Sequence, residues 1–182
     1  MCKHRTCSEI RTARLNHGKT GDGGVGVALI NNYYGRGNYA ILLGKERGGK
    51  FINEYNLCGG GVDPIDNSCY IEAAKRELRE EFKIDIKDYK EFDKIFKNTS
   101  NKVRYIMHHS TPVFVGVISG IKRGDLNKKI QDDNNNKALP YSYHEMECVD
   151  NFWLNGSQIE GHQYNISKYA ASVMKKIDVN NL

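Results

Sequence analysis

Three carboxylates, Glu77, Glu80 and Glu81, occupy positions i, i+3 and i+4 of the run Arg76-Glu77-Leu78-Arg79-Glu80-Glu81. On a helix those positions share a face, with Cβ atoms about 5–6 Å apart. Two full charges at ~5 Å in an effective dielectric of ~20 repel by roughly 3 kcal/mol. Gathering three is unfavourable unless a cation sits among them. Hard oxygen ligands in a compact cluster suit Mg²⁺ or Mn²⁺. The competing reading is a solvated surface face, with Arg76 and Glu80 as an ordinary i,i+4 ion pair.

The surrounding elements favour the metal reading. Ile71, Ala74, Leu78 and Phe82 recur at helical spacing and predict a core-facing stripe opposite the acids. The acidic face then turns toward a cleft or solvent. Asn67 or Ser68 is the expected N-cap, with Pro64 in the turn before it. Upstream, Gly59-Gly60-Gly61 lets backbone approach a ligand closely.

This stretch resembles the box of the Nudix hydrolase family, G-x5-E-x7-R-E-U-x-E-E-x-G-U with U aliphatic. Arg76, Glu77, Leu78, Glu80 and Glu81 match its core at every defined position. Ser68 stands where the box has its first Glu, and Lys83 where it has its late Gly. Asp63, Asp66 and Glu72 are the candidates to replace that Glu. The resemblance implies an α+β fold, an α/β/α sandwich with a mixed β-sheet between helices. It also implies hydrolysis of a phosphoanhydride by metal-activated water. Glu77, Glu80 and Glu81 would hold Mg²⁺ or Mn²⁺, with the Gly60 carbonyl as a further ligand. Arg76 would orient a box Glu, and Gly59 and Gly60 would shape the phosphate pocket. Lys45 and Arg47, at a strand end, are the expected phosphate contacts, against a reading as solvated charges beside Glu46. Glu145 is a candidate general base, with Glu147 behind it, against a reading as a solvated loop charge.

Composition sets broad bounds. The chain has 182 residues and a net charge of +5. That is enough to favour anionic partners but short of the dense basic blocks of nucleic-acid arms. No apolar run approaches a membrane span, and the basic N-terminus lacks the apolar core of a secretory signal. Five cysteines, an odd number, argue for reduced thiols in a cytoplasmic setting. Cys2, His4 and Cys7 invite a zinc reading, but a structural site usually takes four ligands in two pairs. His17, Cys58 and Cys148 supply no clean second pair.

Taken in order, residues 1–20 read as a basic lead-in, partly helical between Ser8 and Leu15, and 21–182 as one domain. Gly23 to Asn31 and Tyr39 to Leu43 predict a hairpin around a Gly/Asn-rich turn. Tyr89 to Lys97, Val103 to His108, Pro112 to Ser119 and Val149 to Leu154 read as strands. Gly120 to Pro140, with its low-complexity QDDNNNK, reads as a mobile surface loop. Asn165 to Ile177 predicts an amphipathic helix. For base stacking, Tyr33, Tyr34, Phe152 and Trp153 are available. His108 and His109 read as ordinary edge residues.

A second resemblance rests on short blocks, PVFVGVIS, YHEMECVDNFWL and YNISKYA, in that order and spacing. They are similar to the tail of the viral, poxvirus-type mRNA-decapping Nudix enzymes. That implies capped RNA as partner. Other nucleotide partners are a nucleoside triphosphate, a dinucleoside polyphosphate, an ADP-sugar or an inositol pyrophosphate. No membrane or DNA partner is expected. Because Ser68 replaces the box Glu, a non-catalytic nucleotide- or RNA-binding module is the reading from a different class.

Overall fold

A computed structural model describes residues 2, 4–33, 38–98, 100, 102–154 and 165–182. Tyr34 and the rest of the hairpin turn at 34–37 lie outside the described residues. The elements run α1 (Arg5–Asn16), β1 (Gly24–Tyr33), β2 (Asn38–Glu46), β3 (Tyr55–Asn56), β4 (Cys58–Gly61), α2 (Tyr70–Glu81) and α3 (Tyr89–Phe96). They continue through β5 (Tyr105–His108), β6 (Thr111–Ile118), α4 (Arg123–Asn135), β7 (Met146–Trp153) and α5 (Lys168–Met174).

The strands form one mixed sheet in the order β3-β2-β1-β6-β5, with β4 also on β1 and β7 on β2. β1 and β2 make the expected hairpin, from Leu29 opposite Leu42 to Tyr33 opposite Asn38. β1 and β6 run parallel, so the chain must cross over between them. The crossover carries α2, the acidic helix. Its stripe of Ile71, Ala74, Leu78 and Phe82 is fully buried against Val25, Val27, Leu29 and Leu42. On the other face, Ile30, Ile41, Leu43, Val113 and Val115 pack with Ala170, Val173 and Met174 of α5. Alternating residues along each strand feed the two cores, as the pleat requires. The result is the expected α/β/α sandwich.

Two elements differ from the sequence expectation. Residues 89–97, read as a strand, form α3. Phe92 and Phe96, one helical turn apart, stack at 4.3 Å and are fully buried. Asp88 caps the helix, accepting from the Glu91 amide at 2.8 Å. That Asp-x-x-Glu spacing is a helix-start signal, and it outweighs the aromatic content that suggested a strand. Residues 120–140, read as a mobile loop, contain α4. Leu126 and Ile130 are buried at i and i+4. The polar run works along the edge of β7: Asn127 exchanges two hydrogen bonds with the Val149 backbone, and Asn134 donates to the Met146 carbonyl. Asparagine side chains thus satisfy a strand edge that would otherwise stay open.

Smaller departures concern the ends. α1 is longer than expected, and Cys7, Ile10 and Arg14 are buried beneath it. α2 starts at Cys69 as N-cap rather than at Asn67 or Ser68, both of which hold positive φ. α5 is shorter than the predicted helix. The sulfurs of Cys2 and Cys69 lie in contact at disulfide range, with Cα atoms 4.9 Å apart. α1 folds back onto the start of α2 there and brings Cys2 against Cys69, two cysteines that no local spacing pairs, while Cys7, Cys58 and Cys148 are free. No helix among the described residues is long and apolar enough to cross a membrane.

Candidate active site

The last two turns of α2 hold the three acids in an enclosed cleft. Glu77, Glu80 and Glu81 are 6%, 8% and 4% exposed. β4 forms one wall. Gly59 donates its amide to the Glu81 carboxylate at 2.9 Å. A Cβ at Gly60 would stand 2.5 Å from Glu77 Oε1, so any side chain there would push that carboxylate out of its present place. The Gly60 carbonyl lies against Gly24 on the neighbouring strand.

Arg76 is held from behind and reaches forward. Behind it, Asp66 accepts from Nε and Nη2, and the Gly61 carbonyl accepts at 2.8 Å. Asp63 lies 3.3 Å away. Asp66 is 3% exposed, fixed in a capping box with Asp63 on the turn Pro64–Asp66. In front, Nη1 lies 2.8 Å from Glu77 and 3.3 Å from Glu80. One guanidinium therefore orients two acids. Asp66, with Asp63, takes the contact offered to three candidates at the missing box Glu. Glu72 instead pairs with Lys75, and Ser68 contacts Arg11 through its carbonyl.

Glu145 arrives from the opposite side. The turn Tyr141–Tyr143 follows α4 and leads into β7, and it brings Glu145 close enough to Glu80 and Glu81 for their charges to act on one another. Glu145 is half-buried beside the acids rather than a fully solvated charge. Its backbone carbonyl also accepts from the Arg47 amide at 2.8 Å. Arg47 lines a cavity of about 480 Å³ with Asn134, Lys137, Tyr141 and His144, adjacent in the chain to Glu145. Lys45 is not brought to the acids. Strand alternation puts it on the other face of β2, where it pairs with Glu147 at 2.9 Å. Its neighbour Glu46 faces the cleft instead and accepts from Asn56 at 2.8 Å. Alternation from Leu42 and Gly44 was the signal for Glu46. Phe152 is a core residue, packed edge-on to Tyr55.

Electrostatics show what the cleft lacks. Burial pushes the Glu77 carboxyl up to about 7, opposed by Arg76 and aided by Glu80 and Glu145. Burial and Glu77 hold Glu81 well above the usual carboxylate range. Burial raises Glu145 as well, with Glu46 and Glu80 adding like charge. Cys58, fully buried, is driven up by burial and so stays a thiol that bonds Glu81. Glu77 and Glu80 therefore share one guanidinium that two aspartates already hold, and Glu81, with Glu145 near it, has only the Gly59 amide and the Cys58 thiol. An all-oxygen set with excess negative charge fits a small hard dication.

Three comparisons bear on this arrangement. A family model described as NUDIX domain matches residues 22–153. No curated protein matches the chain. Among solved structures, the NUDIX domain of Shewanella oneidensis NrtR, complexed with ADP ribose, superposes with a TM-score of 0.52 at 12% identity. The match covers 84% of this chain and 83% of that one. A C. elegans Ap4A hydrolase binary complex gives 0.51 at 15% identity, covering 84% and 93%. At such identities the likeness is one of fold.

Proposed function

The chain belongs to the NUDIX domain family, and from that premise we propose that it hydrolyses a phosphoanhydride bond in a nucleoside-diphosphate-linked substrate, with Mg²⁺ or Mn²⁺ as cofactor. The observation that carries this reading is the burial of Glu77, Glu80 and Glu81 at one end of α2, with Glu77 and Glu80 on the Arg76 guanidinium and Glu145 close enough to act on them. Glu77, Glu80 and Glu81 would hold the metal. When bound, it neutralises the diphosphate and lowers the pKa of a water.

The protein's own groups do the rest. Arg76 positions Glu77 and Glu80, and Asp66 and the Gly61 carbonyl fix Arg76 in turn. Glu145, raised by burial and close to Glu81, is the proton acceptor. Arg47 offers a cation at the mouth of the neighbouring cavity, where substrate phosphates would lie. The Gly60 backbone leaves room for Glu77 against β4. Lys45, already paired with Glu147, has no part.

The ADP ribose bound by one structural neighbour and the Ap4A for which the other is named support an adenosine-containing phosphoanhydride as substrate. Capped RNA is the second reading, favoured by the three C-terminal sequence blocks and the net charge of +5. One experiment separates them: product release with Mg²⁺ or Mn²⁺ from cap-labelled RNA and from a panel including ADP-ribose and Ap4A, for wild type and Glu80→Gln. Turnover of free nucleotides alone, lost in the variant, establishes the small-molecule reading. Release of methylated GDP from RNA, with affinity falling steeply as salt rises, establishes the cap reading. Binding without turnover of any substrate makes the protein a binding module.

A further inference from the structure

A second ligand cluster sits at the other end of α2. Cys2 precedes α1, Cys7 lies in its first turn, and Cys69 is the N-cap of α2. Their sulfurs all lie within 4.8 Å of one another, and this is the one group of three or more histidine, cysteine or carboxylate ligand atoms so gathered among the described residues. Cys7 Sγ is 3.7 Å from Cys69 Sγ. In a tetrahedral site with Zn–S of about 2.3 Å, neighbouring sulfurs stand about 3.8 Å apart; the Cys7–Cys69 pair meets that spacing, while the closer Cys2–Cys69 contact would have to open on binding. Cys7 and Cys69 are buried, so these sulfurs are drawn together within the core rather than on a mobile surface.

Cys7 faces the start of α2: burial pushes its thiol up, while the backbone amides of Ile71 and Tyr70, which donate to the sulfur, and the nearby Arg11 guanidinium act the other way. The same helix end is the positive pole of its dipole. The Cys69 side chain makes no capping bond to the helix, and its sulfur lies 3.8 Å from the Tyr89 hydroxyl. The free side of the cluster opens on a cavity of about 380 Å³ that His4, Glu72 and Tyr89 help to line. A disulfide between Cys2 and Cys69 would use two of the sulfurs and leave Cys7 packed against them with nothing to bind.

We propose that Cys2, Cys7 and Cys69 bind a zinc ion that fastens α1 to the start of α2. The fourth ligand comes from the cavity side, as water or as the His4 imidazole swung from its bond to the Thr6 amide. The site is separate from the acidic cleft in place and in chemistry. Soft thiolates select zinc, whereas the carboxylates suit Mg²⁺ or Mn²⁺. It is a structural site, and it closes a chain segment of 67 residues between Cys2 and Cys69.

The test is metal analysis of the untagged full chain, purified without chelator and without added metal. About one zinc per chain is expected, falling at least tenfold in Cys2→Ser/Cys69→Ser and unchanged in Cys148→Ser. Cobalt loaded in place of zinc should show thiolate-to-cobalt charge-transfer absorption, a signature that wild type alone can supply if the double variant does not fold. Two results would overturn the proposal. One is a zinc-free protein whose intact mass is short by two hydrogens until reductant is added, which assigns Cys2 and Cys69 to a disulfide. The other is zinc retained in full by the double variant.

Discussion

Helix α2 carries a ligand cluster at each end, and the two are built in opposite ways. At its C-terminal end, three of the four acids come from the helix itself, so one stretch of sequence encodes the cluster. At its N-terminal end, only Cys69 belongs to the helix start, and Cys2 and Cys7 arrive with α1. The acids repel one another and stay together because Arg76, β4 and the core hold the helix still. The cysteines attract a common partner and in doing so bring two helices together. The acidic end therefore stores an electrostatic cost that a bound cation offsets, whereas the cysteine end adds stability. Changes at the first should appear in turnover, and changes at the second in folding.

Glu80→Gln tests that division with the largest effect. It removes one of the three proposed metal ligands and one contact of Arg76, so kcat/KM with Mg²⁺ should fall by at least about 100-fold. Its melting temperature should hold or rise, because one buried negative charge is gone. A fall in Tm with unchanged turnover would reverse the assignment of the two ends.

The pH dependence of the magnesium-free protein should expose the stored repulsion. Glu77 rises in the folded state from 4.5 to about 7. The folded carboxyl binds its proton more tightly than the unfolded one. Stability is therefore greatest below the unfolded pKa and is lost as pH rises through the folded one. The loss is on the order of 3 kcal/mol, with Glu81 acting in the same direction. Denaturant unfolding at about pH 5 and about pH 8 measures it, and added Mg²⁺ should restore stability only at the higher pH. At the other end, Cys2→Ser/Cys69→Ser should lower Tm by about 5–10 °C. Its kcat/KM should stay within about threefold of wild type at a temperature where both are folded.

What was legible in the sequence follows the same division. The acids, the buried stripe of α2 and the hairpin are local patterns of period 3.6 or 2, and those were readable. Asp66 was one of three candidates to support Arg76, because choosing among them needs the turn Pro64–Asp66, whose capping box points Asp66 inward. Glu46 was passed over for Lys45, although the alternation of Leu42, Gly44 and Glu46 fixes its face. Cys2 and Cys7 were singled out together, but Cys69 was out of reach, since nothing local says that a residue before α1 will meet the cap of α2. α4 was hidden for a different reason. Its two apolar residues are too few to stand out, and its asparagines, which read as low complexity, serve the β7 edge.

Lys83 offers the finest cut, because it lies just past the acidic end at a place where the family box has glycine. Its φ of +59° is the left-handed conformation that glycine adopts freely. Lysine pays about 1 kcal/mol for that backbone, yet its side chain is almost wholly enclosed. Nζ donates to the Glu80 carbonyl at 2.6 Å and the Tyr143 carbonyl at 2.9 Å, and pairs with Asp133 at 2.9 Å. It thus ties the end of α2 to α4 and to the turn that delivers Glu145. Lys83→Gly would relieve the backbone and restore the box, but leave two carbonyls and Asp133 without their donor, a loss of about 2–3 kcal/mol. The net change should be a destabilisation of about 1–2 kcal/mol, smaller than the pH-linked loss at the acidic end. Because Glu145 loses its anchor while Glu77, Glu80 and Glu81 keep theirs, turnover should fall by up to about tenfold with Mg²⁺ affinity unchanged. A glycine variant that gains stability would mean that the family's glycine is preferred here too, and that the lysine's three contacts are worth less than its strained backbone.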